Sequence, residues 1–403
     1  MTDLKLTTMT RWTIKDNVRS NFQKKACLDL MFKTFNPPER ILMGPGPSDV
    51  NPRILGALGR PTIGHLDPAF LGLMDEVKDL LRYAFKTENE LTIPISAPGS
   101  AGMEACFANL VEPGDKVIVC SNGVFGGRMH ENARRAGGEV LLLEHEWGKP
   151  VNPERLEQAL KKNPDVSLVA MVHAETSTGV RSDAKTLCEI AKRFGCLTVL
   201  DCVTSLAGVE VAMDDWKVDA AYSGSQKCLS CVPGLSPISF SDEAVRKFKN
   251  RKTPVNSWFL DMNLVTDYWA GEEKRSYHHT APVNSVYALH EALLILKEEG
   301  LEQSWKRHLE NHTLLRNFLE DLGFRFLVDE EYRLPQLNAV ILPPSLNEAE
   351  TRLSLLNDYN IEVGPGLGAL AGKIWRIGLM GYASNKRNVM TCVTAIKEKL
   401  GSF

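Results

Sequence analysis

The chain has 403 residues, with 47 Lys+Arg against 50 Asp+Glu and a formal net charge of −3. That length exceeds what one hydrophobic core usually supports, so two domains are expected, while the near-neutral charge excludes a nucleic-acid binder working through a broad basic surface. With 43% hydrophobic residues the chain has enough apolar content to offset ordering entropy, which excludes intrinsic disorder, and no apolar run is long enough to cross a bilayer.

In chain order, Met1 to Phe35 reads differently from the rest. It holds seven Lys/Arg and three acids (Asp3, Asp16, Asp29), is rich in Thr and Asn and shows little apolar periodicity. We read residues 1–38 as an arm that packs on a partner subunit; a mitochondrial transit peptide is the alternative, opposed by the three acids. From Ile41 onward short apolar runs alternate with amphipathic stretches. Val117–Cys120, Ser167–Val172 and Leu197–Leu200 read as buried strands, and their near-continuous apolar character suits a parallel sheet covered on both faces. Pro153–Lys162 and Asp183–Phe194 read as helices between them, the second capped by Ser182 or Asp183. Strand and helix in alternation imply βαβ units and an α/β class. The character shifts near residue 300. Helices over Ala288–Gly300 and Leu301–Leu322 lead into strands near Asn338–Ile341 and Lys373–Ile377, the pattern of a smaller α+β domain. The expected division is therefore 1–38 arm, 39–299 large domain and 300–403 small domain. Nine cysteines lie scattered, without the spacing of a disulfide scaffold, and the N-terminus shows no signal-peptide core. Reduced thiols in a cytoplasmic setting are expected, with the mitochondrial matrix as the alternative; Gly401-Ser402-Phe403 is not a peroxisomal address.

Several motifs fail on chemistry. The run Gly364 to Lys373 has the wrong spacing for a Walker loop, and Ile374 stands where a Mg²⁺-binding Ser/Thr is needed. Cys228-Leu229-Ser230-Cys231 is a C-x-x-C without two further ligands at matching spacing, so no metal site is expected. Three other elements remain. Ala97 to Glu104 is a small-residue turn opening a helix, where backbone N–H groups can approach a phosphate; a plain capping turn explains it equally. Asp201 closes a buried strand, at the end where α/β sheets form ligand crevices; a structural capping acid is the alternative. Lys227 sits in the small-residue turn Gly224-Ser225-Gln226-Lys227 just beyond another short strand, Asp219–Ser223. A desolvated lysine there can form a Schiff base, although an ordinary surface lysine reads the same. Together, a phosphate cradle, a buried carboxylate and an amine nucleophile are what pyridoxal phosphate requires.

These residues belong to a longer set of strings: Gly44-Pro45-Gly46-Pro47-Ser48, Gly99-Ser100-Ala101-Gly102-Met103-Glu104-Ala105, His173-Ala174-Glu175-Thr176-Ser177-Thr178-Gly179, Asp201-Cys202-Val203-Thr204-Ser205, Ser223-Gly224-Ser225-Gln226-Lys227, Tyr277-His278-His279-Thr280 and Trp375-Arg376-Ile377-Gly378. In order and spacing the chain resembles the class V, fold-type I pyridoxal-phosphate aminotransferases from about Ile41 to Leu400, most of all the alanine–glyoxylate and serine–pyruvate group.

The resemblance implies a large domain with a mostly parallel, seven-stranded sheet, a smaller C-terminal α+β domain, and a homodimer with shared active sites. It implies Lys227 as Schiff-base lysine and proton shuttle, and Asp201 as partner of the pyridine nitrogen. Gly99 and Ser100 would bind the phosphate with Gln226. Thr176 would meet the ring hydroxyl region and Phe125 would stack on the ring, while Tyr277 and Thr280 would reach the neighbouring subunit's phosphate. Arg376 would clamp the substrate carboxylate, and Gly64 would line the pocket beside His65. Two positions depart from the family pattern: Phe125 where Trp is common, and Pro98 where Ser, Thr or Gly is usual, which removes one N–H. The implied reaction is ping-pong transfer of the amino group of alanine or serine to glyoxylate or pyruvate through a pyridoxamine form. Serine–glyoxylate or 3-hydroxykynurenine specificity, or a non-transaminase class V chemistry, are the alternatives. Gln226 in place of His before the lysine argues against a cysteine desulfurase. Small-molecule amino and 2-oxo acids are the implied partners, with no nucleic acid and no membrane.

Overall fold

The computed structural model describes residues 34–269 and 275–401. Two compact units result, Met1–Glu39 and Arg40–Phe403. In the first, the described residues 34–39 are exposed and without regular structure, and most of the arm expected over 1–38 lies outside the described residues. The last two residues, Ser402 and Phe403, also lie outside them.

In the second unit seven strands form the central sheet: β1 Leu91–Ile95, β2 Lys116–Ser121, β3 Glu139–Glu144, β4 Val166–Val172, β5 Leu197–Asp201, β6 Ala220–Tyr222 and β7 Ser236–Phe240. Their order is β1-β7-β6-β5-β4-β2-β3. Strand β7 runs antiparallel to both its neighbours and the other strand pairs are parallel. Strands β2, β4 and β5 are the apolar runs legible in the sequence. Strands β1 and β7 escaped that reading because each contains a proline. The two prolines, Pro94 and Pro237, face one another across the same rung. Neither has an N–H to give, so the pairing wastes no donor, and the Pro237 carbonyl accepts from Ser223 N at 2.7 Å. Strand β1 is an edge strand, where proline is tolerated.

Helices cover the sheet. Pro153–Lys162 begins with Asn152 as cap and Pro153 in the first turn and ends on Lys161 and Lys162, the charge sense that suits the helix dipole. Of the two candidate caps for Ala184–Arg193, Asp183 accepts from Thr186 N at 3.1 Å. Ser182 instead takes Val151 N at 3.1 Å. The helix expected from Ala288 starts earlier, at Val283, because Pro282 pre-sets its first turn; it runs to Glu299. Gly300, at φ 86°, then separates it from Leu301–Asp321.

Parallel pairing puts the carboxyl ends of β2, β4, β5 and β6 (Ser121, Val172, Asp201, Tyr222) at one edge of the sheet. The segments that leave there include 122–125, 173–179, 202–205 and 223–227, and the antiparallel turn of β7 keeps 223–235 on the same side. The residues singled out in the sequence lie mainly on these segments, which explains their convergence.

A second apolar core contains Met43, Leu315, Leu319, Phe324, Val340, Trp375 and Ile377. It lies on an antiparallel sheet of β8 Arg325–Phe326, β9 Leu337–Ile341, β10 Gly364–Pro365 and β11 Ile374–Gly378, in the order β8-β9-β11-β10. The segment Ile41–Leu42 pairs in parallel with Ile361–Glu362, so the chain enters the unit through this core. Gly378 N donates to Met43 O at 2.8 Å, which ties β11 to the Gly44–Pro47 loop. A Cβ at Gly378 would collide with the Gly44 carbonyl oxygen, a backbone atom that cannot swing aside. Gly378→Ala is therefore expected to lower stability by about 1–3 kcal/mol through overpacking. Urea denaturation with an unchanged midpoint would contradict this contact.

Candidate active site

Strand β6 ends at Tyr222, and the chain turns through Ser223-Gly224-Ser225-Gln226 to Lys227. Bonds that hold the turn include Ser225 Oγ to Val232 O at 2.7 Å and Ser230 N to Lys227 O at 2.9 Å. The Lys227 amine donates to the Pro45 carbonyl. It lies so close to Gly46 that a Cβ there would sit 2.7 Å from Lys227 Cδ, and Gly46 has φ +110°, so glycine is required twice over. Burial pulls the Lys227 amine down to about 8; Arg376 pushes the same way, and Asp201 opposes.

Asp201 closes β5 and is 3% exposed. Its Oδ1 accepts from Val203 N at 2.8 Å and its Oδ2 from the Tyr222 hydroxyl at 2.8 Å. Burial pushes the carboxyl up to about 7 against those two bonds. Beside it starts the helix Gly99–Leu110, capped by the backbone of Pro98 and by no side chain. A Cβ at Gly99 would lie 3.3 Å from Ser223 O and 3.4 Å from Val203 Cγ2, so the helix start abuts the segments that carry Asp201 and Lys227. Pro98 occupies the cap position, and the N–H groups of Gly99 and Ser100 follow it in the first turn. Gln226 Oε1 and Thr178 Oγ1 are buried without a partner among the described residues.

The segment 173–179 carries the next group. Thr176 Oγ1 and Thr204 Oγ1 are 2.8 Å apart, and the Thr176 carbonyl accepts from Arg376 Nη1 at 3.2 Å. Arg376, on β11, donates through Nε to Pro365 O at 2.8 Å and is 6% exposed. Burial draws its guanidinium down to about 10, with Glu175 opposing. Among the described residues no side-chain carboxylate pairs with it directly, so a buried cation is left with donor capacity for an incoming anion. Phe125 sits in the first turn of Val124–Arg135, its N donating to Glu175 Oε2 at 3.1 Å and its ring 4.8 Å from the Arg128 guanidinium carbon.

Lys227, Asp201, Gly99, Thr176, Phe125, Gln226 and Arg376 thus share the carboxyl edge of the central sheet. Gly64, Tyr277 and Thr280 are all three exposed in the single chain. Tyr277 stands 5.3 Å from the His65 ring, and its hydroxyl is 3.5 Å from Thr280 Oγ1. One bond leads from this cluster toward the cradle: His279 Nε2 lies 2.7 Å from Ser96 Oγ.

Sequence reasoning assigned no role to Glu175, Tyr222 or Thr204. Glu175 is fully buried and accepts from Ser177 Oγ at 2.6 Å and Ser177 N at 3.0 Å besides Phe125 N. It therefore ties the helix that carries Phe125 to the strand end that carries Thr176. The one signal available was an acid inside the small polar run Ala174 to Gly179. Cys228 and Cys231 are buried thiols, each pushed up to about 12 by burial, the opposite of the lowered value of a reactive cysteine.

These residues fit pyridoxal phosphate on their own chemistry. They offer a desolvated amine, a buried carboxylate near it, a helix start with no side-chain cap, and an orphaned buried oxygen on Gln226, the residue before the amine.

The Aminotransferase class-V sequence profile matches residues 55–386. Alanine–glyoxylate aminotransferase of Rattus norvegicus is 39% identical over 92% of this chain and 90% of its own length. The (S)-ureidoglycine–glyoxylate transaminase of Bacillus subtilis is 36% identical over 90% of this chain and 91% of its own. In three dimensions, alanine–glyoxylate aminotransferase from Nostoc sp. superposes with a TM-score of 0.90 at 47% identity, covering 93% of this chain and 98% of that one. With that breadth of match and an amine, a carboxylate and a guanidinium gathered at one sheet edge, the chain belongs to the class V aminotransferases, whose cofactor is pyridoxal phosphate.

Proposed function

We propose that the protein transfers the amino group of alanine or serine to glyoxylate or pyruvate by a ping-pong route. The observation that carries this reading is Arg376, a buried guanidinium with unspent donors and, among the described residues, no carboxylate paired with it directly, placed in the same cluster as Lys227. A planar fork of donors matches the α-carboxylate shared by every amino acid and 2-oxo acid. The relatives named for glyoxylate as acceptor support the choice of acceptor. A second donor, (S)-ureidoglycine, is favoured by the Bacillus subtilis relative.

When bound, the cofactor supplies an electron sink for charge developing at the donor's α-carbon. Lys227, whose amine burial pulls down to about 8, would hold the cofactor through its aldehyde with loss of water, and would move the proton at the substrate α-carbon. Asp201 holds the pyridine nitrogen. Gly99, Ser100 and Gln226 take the phosphate, Thr176 the ring hydroxyl region, and Phe125 the ring face. Tyr277 and Thr280 belong to the partner's site in a homodimer, and Gly64 lines the substrate pocket beside His65. Their exposure in the single chain supports this, Tyr277 at 62% and neighbouring Trp258 at 62% being large aromatic surfaces left bare. Ring contacts link the two through His278 and His279: Trp258 stacks on His278, and Tyr268 bridges His279 to the His65 that meets Tyr277.

A panel of alanine, serine and (S)-ureidoglycine against glyoxylate and pyruvate tests the specificity; turnover with none of these pairs would overturn it. Lys227→Ala is expected to abolish both turnover and the visible absorption of the lysine-bound cofactor, and survival of either contradicts its role. Arg376→Lys keeps the charge but loses the fork, so KM for alanine should rise by roughly 10–100-fold, the worth of a hydrogen bond to a charged group; an unchanged KM would count against the clamp. The neutral amine is the reactive form, so capture of pyridoxal phosphate by apoenzyme should accelerate as pH rises through about 8. A stopped-flow midpoint near the ordinary lysine value of 10.5 would show that Lys227 is not desolvated.

A further inference from the structure

Strands β5 and β6 are parallel neighbours, and their register sets Asp201 directly beside Tyr222. Both side chains are buried, Tyr222 completely. The Tyr222 hydroxyl donates to Asp201 Oδ2 at 2.8 Å, and Val203 N donates to Oδ1 at 2.8 Å. Each carboxylate oxygen therefore holds one fixed donor and keeps one lone-pair direction open. A phenol is a costly group to bury unless its hydroxyl is satisfied, and here a carboxylate satisfies it.

We propose that Tyr222 is the positioning residue of Asp201: its hydroxyl pins one carboxylate oxygen and keeps the acid ionised, so that the remaining lone pairs meet the protonated ring nitrogen of the cofactor. This rests on the reading of Asp201 as partner of that nitrogen. The environment makes such help necessary. Around Asp201 stand Cys106 on the Gly99–Leu110 helix, Cys202 next in sequence, Glu175 on the adjoining segment, and Lys227. Both thiols are held neutral by burial, and Glu175 disfavours a second negative charge nearby. Lys227 favours the charge through space, but its amine donates to Pro45 O, so Tyr222 and Val203 N are the protein donors that the carboxylate holds. Val203 N comes from a peptide group that any residue except proline supplies; the hydroxyl at 222 is particular to Tyr.

Tyr222→Phe removes the hydroxyl and keeps the ring that fills the core. Isotope-edited infrared spectroscopy of the apoenzyme reads the Asp201 carboxyl directly. Loss of a donor to the charged form should move its ionisation upward by about one to two pH units, the worth of a hydrogen bond to a charged group. Equilibrium dialysis should show pyridoxal phosphate bound about 10-fold more weakly, by the same comparison. The decisive arm is a double-mutant cycle on that dissociation constant with Asp201→Asn. If Tyr222 acts through Asp201, Tyr222→Phe has no further effect once Asp201 is Asn. Additive losses would assign Tyr222 a general structural role and overturn the proposal, as would an unshifted carboxyl titration in apoenzyme that melts at the wild-type temperature. Wild-type cofactor affinity in Asp201→Asn alone would instead sink the reading of Asp201 on which the proposal stands.

Discussion

The structure turns on removing three charged groups from water at one edge of a sheet. Lys227, Asp201 and Arg376 each have their ionisation displaced chiefly by burial, and each toward the neutral form. For Lys227 the displacement from 10.5 to about 8 disfavours the ammonium by roughly 3 kcal/mol, a penalty that an exposed lysine does not bear. That penalty is what makes the amine a nucleophile. It persists because the surrounding fold over-determines it: the turn leading to Lys227 is bonded to β7 through Ser223, the Pro45 carbonyl receives the amine, and glycine at 46 lets the chain come close enough to do so.

The remaining geometry follows from keeping these groups dry while giving each a partner. Asp201 is bonded by one backbone N–H and one phenol, both from strands or turns that the sheet makes rigid. Glu175 gathers donors from two segments and so fixes the distance between the helix of Phe125 and the strand end of Thr176. Arg376 comes from the second core, but its Nη1 bonds to the Thr176 carbonyl of the main sheet. The clamp for a carboxylate is thereby held against the cofactor edge by a bond across the boundary between the two cores. The loop after Met43 joins the same junction, bonded to β11 through Gly378 and to Lys227 through Pro45. Residues from both apolar cores meet at one small volume, which is the arrangement a small ligand bridging two lobes requires.

Much of the fold was legible in local pattern. Apolar runs marked β2, β4 and β5, and amphipathic stretches with Asn or Asp caps marked the helices between them, because burial on both faces and helix capping leave traces in a few consecutive residues. Prolines hid β1 and β7, whose pairing makes sense only once Pro94 and Pro237 are seen opposite each other. In the site, Lys227 and Asp201 were visible because each follows a strand with little charge around it. Glu175 and Tyr222 were not. Their importance lies in what they touch across strands, and an acid in a polar run or a tyrosine in a strand carries no local mark of that.

The sequence by itself determined the class of chemistry. The order of seven short strings carried the family resemblance, and with it an amine, an acid and a guanidinium of defined type. Only the tertiary structure decided which of these groups are desolvated, which partners hold them, and that Tyr277, Thr280 and Gly64 are left exposed in the single chain. The physical reason is that residue type is a local property, whereas ionisation depends on burial and on neighbours brought in from hundreds of residues away. A lysine after a strand reads the same whether it lies in water or against Pro45; the fold alone removes the water.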